Sequence, residues 1–176
     1  MIKRAIVILL ILLGLPVMGA TILERDLVFK EGELLCKVYG RDCTFTEVTG
    51  KDMYAYSTYL DMVFISSKLR EIYTKEQLRG VIYHEVGHIV LSHIEKINKV
   101  KTQCGDGCNN EVINNMRRRF ELQADRFAVL TSKFLHIKTD LKGGLIIITP
   151  PDKYYTTHPS HPSTADRIKQ IEELTK

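Results

Sequence analysis

Thr74-Lys75-Glu76-Gln77-Leu78-Arg79-Gly80-Val81-Ile82-Tyr83-His84-Glu85-Val86-Gly87-His88 carries both the architecture and the chemistry of this chain. It opens with a capping box, a threonine hydroxyl followed three residues later by a glutamine amide, which satisfies the free N–H groups of a helix start. Leu78, Val81, Ile82, Val86, Ile89, Val90 and Ile97 then recur at helical spacing, so one long amphipathic helix is expected from Thr74 to about Asn98. Residues four apart lie one above the other on a helix, so His84 and His88 can offer two imidazoles to one ion. Glu85 projects beside that ion, where it can hold a water. Gly87 costs a helix roughly 1 kcal/mol relative to alanine, so its place between the two histidines implies that another element packs closely there.

Glu121-Leu122-Gln123-Ala124-Asp125 lies on a second expected helix, residues 111–134, whose apolar positions include Val112, Ile113, Met116, Phe120, Phe127, Val129 and Leu130. Glu121 would complete a set of two nitrogens and one carboxylate oxygen with an open fourth position, the donor set of a catalytic zinc; a structural zinc would be closed, typically by cysteines. One Zn2+ per chain is therefore expected on His84, His88 and Glu121. Such an ion brings its bound water to a pKa near 7. Glu85 would take the water's proton and pass it to the leaving amine. Asp125, four residues after Glu121, is placed to accept a ring N–H from a ligating histidine and fix its tautomer. His93, five past His88, turns to a different side of a continuous helix and reads as a polar-face residue.

Around these helices, Met53–Tyr56 and residues 60–65 read as a hairpin with Ser57-Thr58 near the turn. Glu24 to Lys37 suits a short helix or strand, and Gly40-Arg41-Asp42 a turn. Ser66 to Arg70 suits a short helical turn or loop, and residues 101–110 a loop. Leu145–Ile148 follows two glycines and suits a short strand or a hydrophobic flap. His158-Pro159-Ser160-His161-Pro162 forms a rigid loop before a last helix from about Ser163 to Leu174.

With 176 residues the chain suits one domain with an ordinary core. Lys3 and Arg4, the apolar run Ala5 to Leu15 and the small residues at Val17-Met18-Gly19-Ala20 read as a secretory signal over residues 1–20. An uncleaved leader would keep the chain close to a membrane, yet about 13 apolar residues fall short of the roughly 20 that span a bilayer. Residues 21–176 would be the mature domain, without a spanning helix. Removing the leader reduces the net charge of +4 to about +2, 23 basic residues against 21 acidic, a balance that implies no polyanionic partner and no nucleic acid. Arg117-Arg118-Arg119 lacks interleaved aromatics and reads as a solvated face. Four cysteines in an exported chain favour two disulfides with three possible connectivities, Cys36–Cys43 and Cys104–Cys108 being the simplest. Leader and cysteines together suit a bacterial periplasm.

The ordered set His84-Glu85-Val86-Gly87-His88, Glu121-Leu122-Gln123-Ala124-Asp125 and Ser160-His161-Pro162 with Arg167 resembles the M48 metallopeptidases, the group that includes the Ste24, HtpX and Oma1 proteases. The resemblance covers about residues 53–172. It implies an α+β, mainly helical gluzincin-type domain with a small antiparallel sheet, whose edge strand lines the active-site cleft. Residues 60–65 would be that strand, pairing with an extended substrate backbone. The resemblance also assigns zinc to His84, His88 and Glu121 and the base to Glu85. It places a His-Pro segment near the metal with an arginine six residues after the histidine, which His161 and Arg167 satisfy and His158 does not. His161 would then stabilise the oxyanion or cap the free metal position, and Arg167 would anchor that loop or the substrate. Metzincins are excluded, because Leu91 and Ile94 stand where they need glycine and histidine. The membrane segments of Ste24 and HtpX are absent, which points to a small exported member acting on unfolded or misassembled proteins. The contrasting reading is a latent or weakly active zinc protein that binds exposed strands in a chaperone-like role.

Overall fold

A computed structural model of the chain describes residues 22–50, 52–107, 109–149 and 159–176. The expected leader, Cys108 and His158 lie outside them. Helices α1 (Ile22–Val38), α2 (Ser67–Ile72), α3 (Lys75–Val90), α4 (His93–Cys104), α5 (Asn110–Phe134), α6 (Leu141–Ile148) and α7 (Thr164–Thr175) surround a three-stranded sheet of β1 (Thr44–Val48), β2 (Ala55–Ser57) and β3 (Met62–Ser66). The domain is mainly helical α+β, as expected. Among the described residues, no helix is long and apolar enough to cross a membrane.

The first half of the expected central helix forms as read. Gln77 N donates to Thr74 Oγ1 at 3.3 Å, and Thr74 N donates to Gln77 Oε1 at 3.0 Å. Leu78, Ile82, Val86 and Ile89 are buried, each worth about 1.5–3 kcal/mol relative to an exposed side chain. Helix α3 packs against α1, α5 and α6, so its two histidines are fixed from several sides. The helix does not run on to Asn98. It stops at Val90, and Ser92 adopts the left-handed conformation (φ 53°) before α4 begins at His93. Neither glycine nor proline marks this break, which is why periodicity alone misses it.

Three other segments differ from expectation. β3 is the central strand of the sheet, paired antiparallel with β2 and parallel with β1 from Thr44↔Met62 to Val48↔Ser66. The sheet is thus mixed, and residues 60–65 do not form its edge. β1 follows directly on the Cys36–Cys43 disulfide, which ties it to the end of α1. Residues 101–104 continue α4, and Gly105–Gly107 forms a single 3-10 turn where a loop was expected. Leu145–Ile148 belongs to helix α6, capped by the Asp140 side chain, which accepts from Gly143 N at 2.8 Å. Gly144 lets the buried Tyr73 ring approach, and Tyr73 Oη donates to the Gly144 carbonyl at 2.7 Å.

Candidate metal centre

The site forms where α3 and α5 touch. A Cβ at Gly87 would lie 3.1–3.2 Å from Phe127 and from the Ala124 backbone, closer than ordinary carbon contacts of about 3.5–4.0 Å. Glycine therefore lets α5 come near enough for Glu121, one turn before Ala124, to face the histidines. One donor atom from each of His84, His88 and Glu121 lies within 4.8 Å of the others. The converging atoms are the two Nε2 nitrogens, 3.1 Å apart, and the Glu121 carboxylate, 3.4 Å from His84 Nε2 and 3.5 Å from His88 Nε2. Two imidazole nitrogens and a carboxylate in a largely enclosed place are chemically suited to zinc.

The outer side of His84 is also held. Its Nδ1 meets Asp125 Oδ1 at 2.8 Å, and Asp125 is fully buried. Arg167 donates to the same carboxylate through Nε at 2.7 Å and Nη2 at 2.6 Å, and its Nη1 lies 3.7 Å from Glu121. Arg167 thus reaches into the carboxylates beneath the site. In the segment before α7, Arg118 donates to the Pro159 carbonyl. His161 Nε2 lies 3.7 Å from Glu121 Oε1, with about half of its side chain exposed.

Charge is unevenly divided over this cluster. Burial opposes a charge on His84, but Asp125 and Glu121 outweigh it and hold the imidazolium up to about 10. Burial and the neighbouring His84 push His88 down to about 3. Burial also works against the Glu121 carboxylate, yet His84, His88 and Arg167 hold it well below the ordinary carboxylate range. Burial raises Glu85 above its usual value, against the pull of His84.

His84, Glu85, His88 and Glu121 face a cavity of about 530 Å³, which His161 and Arg167 also line. Met53 to Ser57 form one wall, and Ile94, Ile97 and Phe120 contribute apolar surface. His93 does not lie on the polar face that a continuous helix would give it. It is fully buried, its Nδ1 lies 3.1 Å from His88 Nδ1, and its ring stacks on Phe120 at 4.2 Å. The turn at Ser92 redirects it.

The model of peptidase family M48 matches residues 37–104 and 96–175. No curated protein matches the chain. With the family pattern running over most of its length, the chain belongs to peptidase family M48, a family of metallopeptidases that are typically zinc-dependent.

Proposed function

We propose that this chain is a zinc-dependent endopeptidase of the HExxH gluzincin kind that hydrolyses unfolded or misassembled proteins of the cell envelope. The observation that carries this reading is the convergence of His84 Nε2, His88 Nε2 and the Glu121 carboxylate in a cavity that Glu85 also lines. One zinc held by these three residues would supply Lewis acidity and bring water toward a pKa near 7. Glu85 accepts the proton of the attacking water and returns it to the amide nitrogen as the C–N bond breaks. Its buried carboxyl, raised above the ordinary value, suits a group that must both take and give a proton near neutrality.

Asp125 and Arg167 keep His84 and Glu121 oriented, and Asp125 keeps a proton on His84 Nδ1, so that Nε2 is the nitrogen that gives up its proton to bind the ion. His161, at the mouth beside Glu121, is placed to donate to the developing oxyanion. β2 is an edge strand whose residues face the cavity, so it takes the role first given to residues 60–65, pairing with an extended substrate. The Cys36–Cys43 disulfide supports export, with a periplasmic address and residues 21–176 as the mature peptidase domain. The closeness of His161 to Glu121 also favours a latent form, in which this histidine covers the metal until substrate displaces it.

Purified residues 21–176 should cleave reduced casein when zinc-loaded, and Glu85→Gln should bind zinc without cutting. Equal cleavage by both proteins would remove Glu85 from the mechanism. No cleavage by either, with zinc bound, would shift weight to the latent form and make His161→Ala the activating variant.

A further inference from the structure

We infer that His93 and Gln123 form a hydrogen-bond relay that fixes the tautomer of His88 and so presents its Nε2 to the metal. The inference rests on the reading of His88 as a metal ligand. His88 Nδ1 lies 3.1 Å from His93 Nδ1, and His93 Nε2 lies 3.0 Å from Gln123 Oε1. Only one arrangement of protons satisfies both contacts with neutral rings. The Gln123 carbonyl oxygen can only accept, so His93 carries its proton on Nε2. His93 Nδ1 is then an acceptor, so His88 must carry its proton on Nδ1. That leaves the lone pair of His88 on Nε2, the atom that faces Glu121 and His84.

The backbone is arranged for this contact. On an unbroken helix, a residue five positions on would lie about 140° round the axis from His88. The left-handed turn at Ser92 (φ 53°) breaks α3 from α4 and brings the His93 ring edge-on to His88, with centroids 5.0 Å apart. Residues other than glycine seldom adopt such a conformation. Phe120 then fixes the plane of the His93 ring by near-parallel stacking, 4° between planes. His84 and His88 are therefore oriented by different partners, a carboxylate for the first and a neutral imidazole backed by an amide for the second. Glu121, Gln123 and Asp125 on one helix thus supply a ligand, the partner of His93 and the partner of His84.

His93 is thus a positioning residue, and its test reads zinc affinity directly by chelator competition, alongside kcat and KM. His93→Phe keeps a ring against Phe120 and removes both hydrogen bonds. His93→Asn restores an oxygen near the Nδ1 position. The first should weaken zinc binding roughly 10–100-fold, and the second should recover most of that loss. Gln123→Met, at an exposed position where folding is not in question, should weaken binding several-fold. Unchanged zinc affinity in His93→Phe and Gln123→Met would overturn the relay. So would equal loss in His93→Phe and His93→Asn, which would mark a packing role alone. If His93→Phe does not fold, Gln123→Met decides alone: unchanged affinity refutes the relay and weakened affinity supports it. A wild-type protein that bound no zinc would sink the metal reading and the relay together, whereas tight wild-type binding with indifferent variants would sink only the relay.

Discussion

Gly87→Ala sets helix propensity against the approach of two helices. Alanine in the middle of a helix is worth about 1 kcal/mol over glycine, so on an exposed surface the change would stabilise. Here the added methyl would lie 3.2 Å from Ala124 Cα and 3.1 Å from the Phe127 ring. Restoring an ordinary contact requires α3 and α5 to part by roughly 0.5 Å. Overpacking of that kind costs about 1–3 kcal/mol, leaving a net loss of about 0–2 kcal/mol. In a domain of this size, that lowers Tm by up to about 8 °C. The larger effect falls on the site. Glu121 rides on α5 one turn from Ala124, and a functional constellation tolerates only about 0.5 Å of error. Zinc affinity should fall about tenfold, and kcat/KM by one to two orders of magnitude. Chelator competition and thermal unfolding of the metal-free protein separate the two effects. A variant about 1 kcal/mol more stable than wild type, with unchanged zinc affinity, would refute the claim that close approach at Gly87 builds the site.

Asp125→Asn should weaken zinc binding about 10–100-fold by loosening His84. It should also destabilise the fold by roughly 3–5 kcal/mol, because the buried Arg167 loses its carboxylate partner; equal zinc affinity would show that Asp125 has no part in orienting His84. Acidification should release the metal because a proton on His84, held up to about 10, competes with the ion, so affinity falls about tenfold per pH unit across the neutral range, whereas His88, pushed down to about 3, adds to the loss only in strong acid. A flat profile between pH 5 and 7 would argue against His84 as a ligand. Cys36→Ser opens a short loop, a loss of roughly 2.5 kcal/mol that lowers Tm by about 5–10 °C. Zinc affinity should not change, since the disulfide joins α1 to β1 away from the ligands; a changed affinity would place the disulfide in the construction of the site.

Much of this arrangement was legible in the chain because it is local. The capping box at Thr74 and Gln77, the four-residue spacing of the histidines and the periodicity of residues 111–134 are properties of single helices, and α3 and α5 follow them. Gly87 announced a close neighbour without saying which. What the sequence hid depends on elements meeting. β1 reads as polar because its pattern Thr44-Phe45-Thr46-Glu47-Val48 becomes a strand only through parallel pairing with β3. That pairing moves the edge of the sheet from residues 60–65 to β2. Leu145–Ile148 resembles a strand by composition and is helical because Asp140 caps it and Tyr73 takes the Gly144 carbonyl. The position of His93 depends on one left-handed serine, Ser92, a conformation no spacing rule foresees. The hold of Arg167 on Asp125 joins residues 42 positions apart, a contact no local pattern foretells.

The most direct test of the metal centre is anomalous diffraction at the zinc edge from crystals of the zinc-loaded protein. One peak per chain is predicted, about 2.0–2.2 Å from His84 Nε2, His88 Nε2 and a Glu121 oxygen, with Glu85 near it but not bound. A peak held by Asp125, by Glu85 or by residues outside this cluster, or no peak at all, would contradict the account.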